Sequence, residues 1–373
     1  MELLNATKMR VGYTLGMKPD GRELLVVVVK GTFAIPKHGE EATLAEVQEP
    51  LVMADTFTGE PGLSAPVYES DFAPHKPKCD VLLNGSCYAP AGKPASKVMV
   101  SLRAGSLSKS FNVLGDRIWK KRWFFVTSTK PVPFTVMPIS YNKAFGGEDR
   151  THQKAAKHKT FLANPVGVGF HDQLKRGLIN GKPLPNTEEL NNRVKHPKKQ
   201  YRSMAFGPIG RNWQPRPALA GTYDQSWIDQ VFPFLPADFN DAYYQAAPQD
   251  QQTDYLRGGE EVALVNLTPS GQARFRLPTI EMPVVFFPRD GEKQETQAVI
   301  DALMLEPDLG RFMLVWRSSF PLKKNIFDVV QVVAGVMPKG WYRARELGKT
   351  YYRSLGELVA AKLRERGEVE SEE

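Results

Sequence analysis

Cysteine is nearly absent from this chain. Cys79 and Cys87 are the only two in 373 residues, too few for a disulfide framework. Long apolar runs are missing as well. The aliphatic stretch 24–29, and the stretch 329–337 interrupted by Gln331 and Gly335, fall far short of the roughly 20 residues that span a bilayer. Residues 1–10 lack the basic patch and following apolar run of a secretory signal. Together these absences predict a cytoplasmic protein with no membrane partner. Nucleotide loops are missing too. Gly167-Val168-Gly169 has no G-x-x-G continuation between a strand and a helix, and no G-x-x-x-x-G-K-[ST] occurs. No cofactor is expected.

What is present reads as a folded, globular chain: 42% hydrophobic and 24% charged residues supply a core without help from metal or disulfides. The net charge of +8 is concentrated in one place. Residues 150–202 carry twelve Lys and Arg against Asp172, Glu188 and Glu189, an excess of nine that accounts for the whole surplus. A local basic patch points to an acidic partner more than to polyanions in general.

The chain divides by texture into 1–139, a β-rich N-terminal region; 140–260, a loop-rich middle; 261–340, a second β region; and 341–373, an amphipathic helix with an acidic tail at 368–373. Residues 11–15 and 22–35 flank the turn Lys18-Pro19-Asp20-Gly21. The continuous aliphatic run 24–29 predicts a strand buried on both faces. Asn84-Gly85 predicts a hairpin between 81–83 and 86–88. Val98, Val100 and Leu102 alternate with polar residues, as in a half-buried strand. A second hairpin is expected across Pro269-Ser270-Gly271, with Ala273, Phe275 and Leu277 on one face. Further strands are expected at 118–126, 284–287, 298–305 and 312–316. The middle has little periodicity but many Gly, Pro, Asn and rings. It reads as ordered loops pinned by buried aromatics, with Trp213, Trp227 and Phe239 as anchors. A single apolar stripe, Leu347, Tyr351, Leu355 and Leu358, predicts one helix over 342–366. The fold class is mainly β: two sheet-rich, sandwich-like halves, a loop-rich middle insertion and a C-terminal α-helix.

Catalytic chemistry finds little support. His75, Cys79 and Cys87 lack the fourth ligand and paired spacing of structural zinc, so no metal is expected. No activating pattern surrounds either cysteine, which disfavours a thiol nucleophile. Carboxylates recur at Glu148-Asp149, Asp238 with Asp241, Asp250 with Asp254, and Glu260-Glu261. A glycoside hydrolase needs two of them across a sugar, but spacing alone selects no pair. The basic clusters around Lys154 and Lys199 have too few interleaved rings for a nucleic-acid stacking platform.

The ordered blocks are more informative. Ser70-Asp71-Phe72-Ala73-Pro74-His75-Lys76-Pro77-Lys78-Cys79-Asp80-Val81 opens a series. It continues through Gly115-Asp116-Arg117 with Trp119, residues 141–147, residues 164–170 and Leu184-Pro185-Asn186. Residues 206–209, Trp213 with Pro215-Arg216, Gly221-Thr222-Tyr223-Asp224, residues 244–252 and residues 255–260 complete it. Over about 31–278 this series resembles a bacterial family long catalogued only as a domain of unknown function and encoded beside type VI secretion genes. Ala247 stands where the pattern leads one to expect proline before Pro248, a departure expected to alter loop stiffness only. The resemblance implies a non-enzymatic adaptor or chaperone. Such a protein binds an effector bearing a PAAR domain and helps load it onto the trimeric spike.

The partner expected from this reading is thus a PAAR-domain effector, with the spike as a second contact. Candidate partner-binding residues are Asp71, His75, Lys76 and Asp80 in the first block, Lys195, Lys198 and Lys199 in the basic segment, and Arg257 and Glu260 beside Gly258-Gly259. For the first block and for Arg257 and Glu260, a structural role as loop caps and ion pairs is an equal expectation. A carbohydrate-active hydrolase is the alternative function, and a nucleic-acid binder a third.

Overall fold

The computed structural model describes residues 1–37 and 40–365, so the acidic tail expected at 368–373 lies outside the described residues. The chain is mainly β, and its described part ends in the helices Lys339–Glu346 and Leu355–Glu365. Three larger sheets carry the architecture. A six-stranded sheet runs in the order Gln252–Thr253, Cys79–Leu83, Val299–Glu306, Arg311–Pro321, Glu23–Ala34, Arg10–Met17. A five-stranded sheet runs Thr187–Glu188, Leu107–Leu114, Lys97–Ala104, Glu261–Val265, Gln272–Arg276. The third joins Glu2–Asn5, Val329–Ala334, Pro283–Pro288 and Gln294–Gln297.

The inner faces of these sheets meet in one core. Leu25, Val27, Val29 and Phe33 of the first sheet pack with Val100, Leu102 and Phe111 of the second and Val284, Phe286 and Val332 of the third. Each fully buried aliphatic or aromatic side chain contributes about 1.5–3 kcal/mol relative to exposure. Strands from the two ends of the chain interleave in these sheets: Glu23–Ala34 pairs antiparallel with Arg311–Pro321, and Cys79–Leu83 pairs parallel with Val299–Glu306. The N- and C-terminal β regions are therefore joined through shared sheets.

The aliphatic run 24–29 is buried on both faces, as its composition predicts. Leu24, Val26 and Val28 turn away from the main core and are covered by Leu51 and Phe72 from the loops that follow. The hairpin across 269–271 and the alternation at Val98, Val100 and Leu102 are present as expected. The Asn84-Gly85 hairpin is not. Cys79–Leu83 belongs to the six-stranded sheet, whereas Gly85–Tyr88 pairs with Val136–Ile139. Long-range partners outcompete the local turn: the Leu83 N–H donates to the Phe206 carbonyl at 3.0 Å, and the Asn84 N–H to the Leu305 carbonyl at 2.9 Å.

The C-terminal stripe also divides. Gly348 takes φ +62°, the Gly348 N–H donates to the Arg345 carbonyl at 3.0 Å, and the first helix stops there. Trp341 and Tyr342 of that helix pack with Phe287 and Val333 on the outer face of the four-stranded sheet.

The middle region owes its order to side chain–backbone bonds that carry no period. Asn164, fully buried, donates from Nδ2 to the carbonyls of Tyr141 (2.9 Å) and Phe145 (3.1 Å). Around it Trp119, Phe145, Phe161, Ile179, Leu184, Val194 and Tyr201 form a second core. Gly115 marks a close crossing: a Cβ there would lie 1.6 Å from the Val132 carbonyl oxygen. Of the three expected aromatic anchors, Trp213 is buried, while Trp227 and Phe239 are partly exposed.

Candidate functional site

The first candidate block lies against the outer face of the six-stranded sheet, and most of it faces inward. Lys30, Asp80 and Arg317 project from the sheet, Asp301 sits at its bulge, and the covering loop brings Asp71 and Lys76. They pair as Lys30 with Asp71 (3.0 Å), Lys76 with Asp80 (2.9 Å), and Arg317 with Asp301. Three cations thus meet three anions. Burial disfavours the charged form of Lys76, but the Asp80 carboxylate, aided by Asp301 and Glu69, holds its pKa above the ordinary lysine range. Asp80 also accepts from Gln245 Nε2 (2.6 Å) and from the N–H groups of Ala246 (2.9 Å) and Ala247 (3.1 Å). A proline at 247 would lack that last donor, so the departure at Ala247 affects more than loop stiffness. Asp71, Lys76 and Asp80 therefore latch the loops to the sheet and do not present a surface, whereas His75 is exposed.

Glu260 has a local role. Its carboxylate accepts from the N–H groups of Arg257 (2.7 Å) and Gly258 (2.9 Å), capping the Gly258-Gly259 turn, and the Arg257 side chain is exposed. Three of the other named carboxylates are likewise engaged. Asp149 accepts from the N–H groups of Asp172 and Gln173 at 2.8 Å, Asp238 from Thr222, and Glu261 pairs with Arg274. Cys79 and Cys87 are buried free thiols; burial pushes both pKa values up, Cys87 to about 12, which disfavours a nucleophilic thiolate. Among the described residues no group of three or more His, Cys, Asp or Glu is placed to hold a metal ion.

An open groove of about 560 Å³ lies in the middle region. One wall is the segment 201–203, a second the 3-10 turn Arg216–Leu219 with Gln214 and Pro215, and a third the segment 242–252. Its walls are fixed from behind. Buried Arg216 donates to both Glu69 carboxylate oxygens at 2.8 Å and to the Tyr243 and Ile209 carbonyls. Gln251 donates to the Val81 and Phe206 carbonyls, each at 2.8 Å. Lys109 reaches the groove from the five-stranded sheet and donates to Gln251 Oε1 (2.7 Å) and Asp250 Oδ1 (3.2 Å). Burial pushes its pKa down to about 8, although Asp250 opposes the shift. Arg202 bonds the other Asp250 oxygen at 2.6 Å. Asp250, the one carboxylate among the described residues lining the groove, is thus held between two cations.

The basic loop adjoins this groove through Tyr201. The Tyr201 hydroxyl accepts from the N–H groups of Lys195 (3.0 Å) and His196 (3.2 Å), and Lys199 Nζ sits 5.4 Å from its ring centre. Lys195, Lys198 and Lys199 are all exposed, with Lys198 also pairing with Asp172 at 3.2 Å. All twelve basic side chains of 150–202 are exposed. Lys109 is absent from the sequence candidates. Its signal was a lysine in the inward register between Leu107 and Phe111, where an aliphatic residue belongs.

The chain matches, over residues 20–317, the family model described as "Uncharacterized protein conserved in bacteria (DUF2169)". It belongs to the DUF2169 family. The match includes the whole groove, the ion-pair cluster behind it and the basic loop. No curated protein and no solved structure matches this DUF2169 chain.

Proposed function

We propose that this protein is a non-enzymatic type VI secretion adaptor and chaperone that binds a PAAR-domain effector and helps load it onto the spike. The observation that carries this reading is the groove of the middle region. Two of its three walls come from sequence blocks on which the resemblance rests, residues 244–252 and the Pro215-Arg216 turn, and both are braced from behind by Asp80 and Glu69 of the segment around 70–81. An open trough with exposed Gln214, Gln249 and Arg202 on its rim suits an extended peptide segment, whose backbone needs donors and acceptors along its length. The exposed basic loop beside it favours an acidic partner. A cytoplasmic location follows from this reading, because loading precedes export.

The test is affinity capture of the tagged protein from a type VI-competent bacterial lysate, with mass spectrometry of the bound fraction. A PAAR-domain effector is expected to co-purify with the wild type. It is expected to be lost from an Ala163→Trp/Gln249→Trp variant, which fills the groove from its exposed rim. Recovery of no spike component, with the effector present in the lysate, overturns the adaptor reading.

A further inference from the structure

The segment 119–128 forms a two-stranded hairpin that belongs to none of the three larger sheets. Trp119–Arg122 pairs with Phe125–Ser128, leaving Trp123 and Phe124 as the connection. Its base is fixed: buried Trp119 donates from Nε1 to the Gly169 carbonyl at 3.1 Å, and the Lys121 N–H donates to Asn180 Oδ1 at 2.6 Å. Its tip is bare. Trp123, Phe124 and Phe125 are 89%, 88% and 75% exposed. Three consecutive rings in water at a convex tip need a partner. Trp123 also holds φ +51°, a conformation that bulky residues rarely adopt and that a glycine would take without strain.

Immediately behind the rings come Lys120, Lys121 and Arg122. Lys120 and Arg122 are exposed, and the helix Arg176–Ile179 packed beside this strand adds exposed Arg176, with Lys175 just before it. No Asp or Glu occurs from residue 117 to residue 147. Apolar tip and cationic collar follow one another in the same order as the layers of an anionic membrane, apolar beneath and phosphate above. Aromatic rings settle at that boundary, and Lys and Arg stems run along it to keep their charges among the headgroups. A protein pocket accounts for the rings alone, whereas a broad anionic surface also meets the basic groups of the hairpin and of the adjoining helix.

We propose that the 119–128 hairpin docks this protein on an anionic lipid surface, with Trp123, Phe124 and Phe125 inserting and Lys120, Lys121 and Arg122 contacting phosphates. The inference is independent of the adaptor reading. The absence of a membrane-spanning helix among the described residues does not bear on it, because the contact is peripheral.

The full-length protein is tested by flotation with vesicles of phosphatidylcholine alone and of about 70% phosphatidylcholine with about 30% phosphatidylserine. Binding is expected to the second mixture only. Each basic side chain near an anionic leaflet strengthens binding about fivefold, so Lys120→Gln/Lys121→Gln/Arg122→Gln should bind about a hundredfold more weakly. Trp123→Ser/Phe124→Ser/Phe125→Ser should lose binding with an unchanged far-ultraviolet circular dichroism spectrum, since these side chains are largely exposed. Trp123→Phe should still float but lose the fluorescence quenching that brominated lipid causes in the wild type. Lys195→Gln/Lys198→Gln/Lys199→Gln should float like the wild type. The proposal is overturned by equal binding to both mixtures or by binding that survives removal of the three rings. Loss of flotation in the 195–199 variant overturns it too. So does a wild type that ignores vesicles while its rings are needed to hold a captured protein, which would make the tip a protein contact.

Discussion

Lys109 shows how one side chain ties the groove to the stability of the fold. It sits at an inward position of Leu107–Leu114, a register filled otherwise by Leu107, Phe111 and Val113, and reaches polar partners only at its tip. Burial pushes its folded pKa down to about 8 from an ordinary value of 10.5. Below pH 8 both folded and unfolded chains hold the proton, and the fold bears the cost of the buried charge. Between about pH 8 and 10.5 the folded protein has released a proton that the unfolded chain still binds, so stability attributable to Lys109 rises with pH. The full difference is about 3 kcal/mol. Lys109→Met has no proton to release. Urea unfolding of both proteins at about pH 7 and about pH 9.5 should therefore show the wild type gaining on the variant as pH rises. A difference that stays flat across this window would show that Lys109 is not held in its buried position.

At the level of elements, Asp80 explains why Cys79–Leu83 anchors so much of the molecule. The strand lies between Val299–Glu306 and the short edge strand Gln252–Thr253, and its one outward carboxylate gathers Lys76, Gln245 and the N–H groups of Ala246 and Ala247. Asp80→Ala removes the paired counterion of the buried Lys76 ammonium and is expected to cost about 3–5 kcal/mol. Lys76→Met leaves three neutral donors on the carboxylate and should cost less. Chemical denaturation of the two variants decides the order, and equal or reversed costs would contradict the latch. The same strand shows what the sequence could reveal. The aliphatic run at 24–29 and the alternation at Val98, Val100 and Leu102 are local patterns, and both correspond to observed strands. The hairpin signal at Asn84-Gly85 is local too, but the strand's partners lie at Val299–Glu306 and Gln252–Thr253, a pairing no short window contains. The loops of the middle are fixed by Asn164, Arg216 and Gln251 reaching backbone carbonyls, which leaves no periodicity to read. For the same reason the sequence left Asp71, Lys76 and Asp80 open between partner contacts and structural ion pairs: a polar loop residue and a buried ion-pair partner have the same one-letter appearance.

Across the whole molecule the charges separate into two populations with different work. Those under the covering loops are matched, three against three, and add nothing to the outer field. The twelve basic side chains of 150–202 are exposed and carry the net positive charge outward, with Lys195 and Lys199 beside Tyr201 at the groove wall. Exposed charge of one sign acts mainly on encounter, through a field that reaches about 10 Å at 0.1 M salt, and much less on the lifetime of a formed complex. Lys198 is the poorer probe, because its partner Asp172 would face a new anion after reversal. Lys195→Glu/Lys199→Glu avoids that conflict. Against the captured partner, its association should slow about tenfold at about 0.05 M salt and match the wild type at about 0.5 M, with dissociation little changed. Surface plasmon resonance at both salt concentrations measures the two rates separately. Unchanged association at low salt would remove the basic loop from partner recognition, and a faster dissociation at both salts would place these lysines inside the contact instead of at its approach.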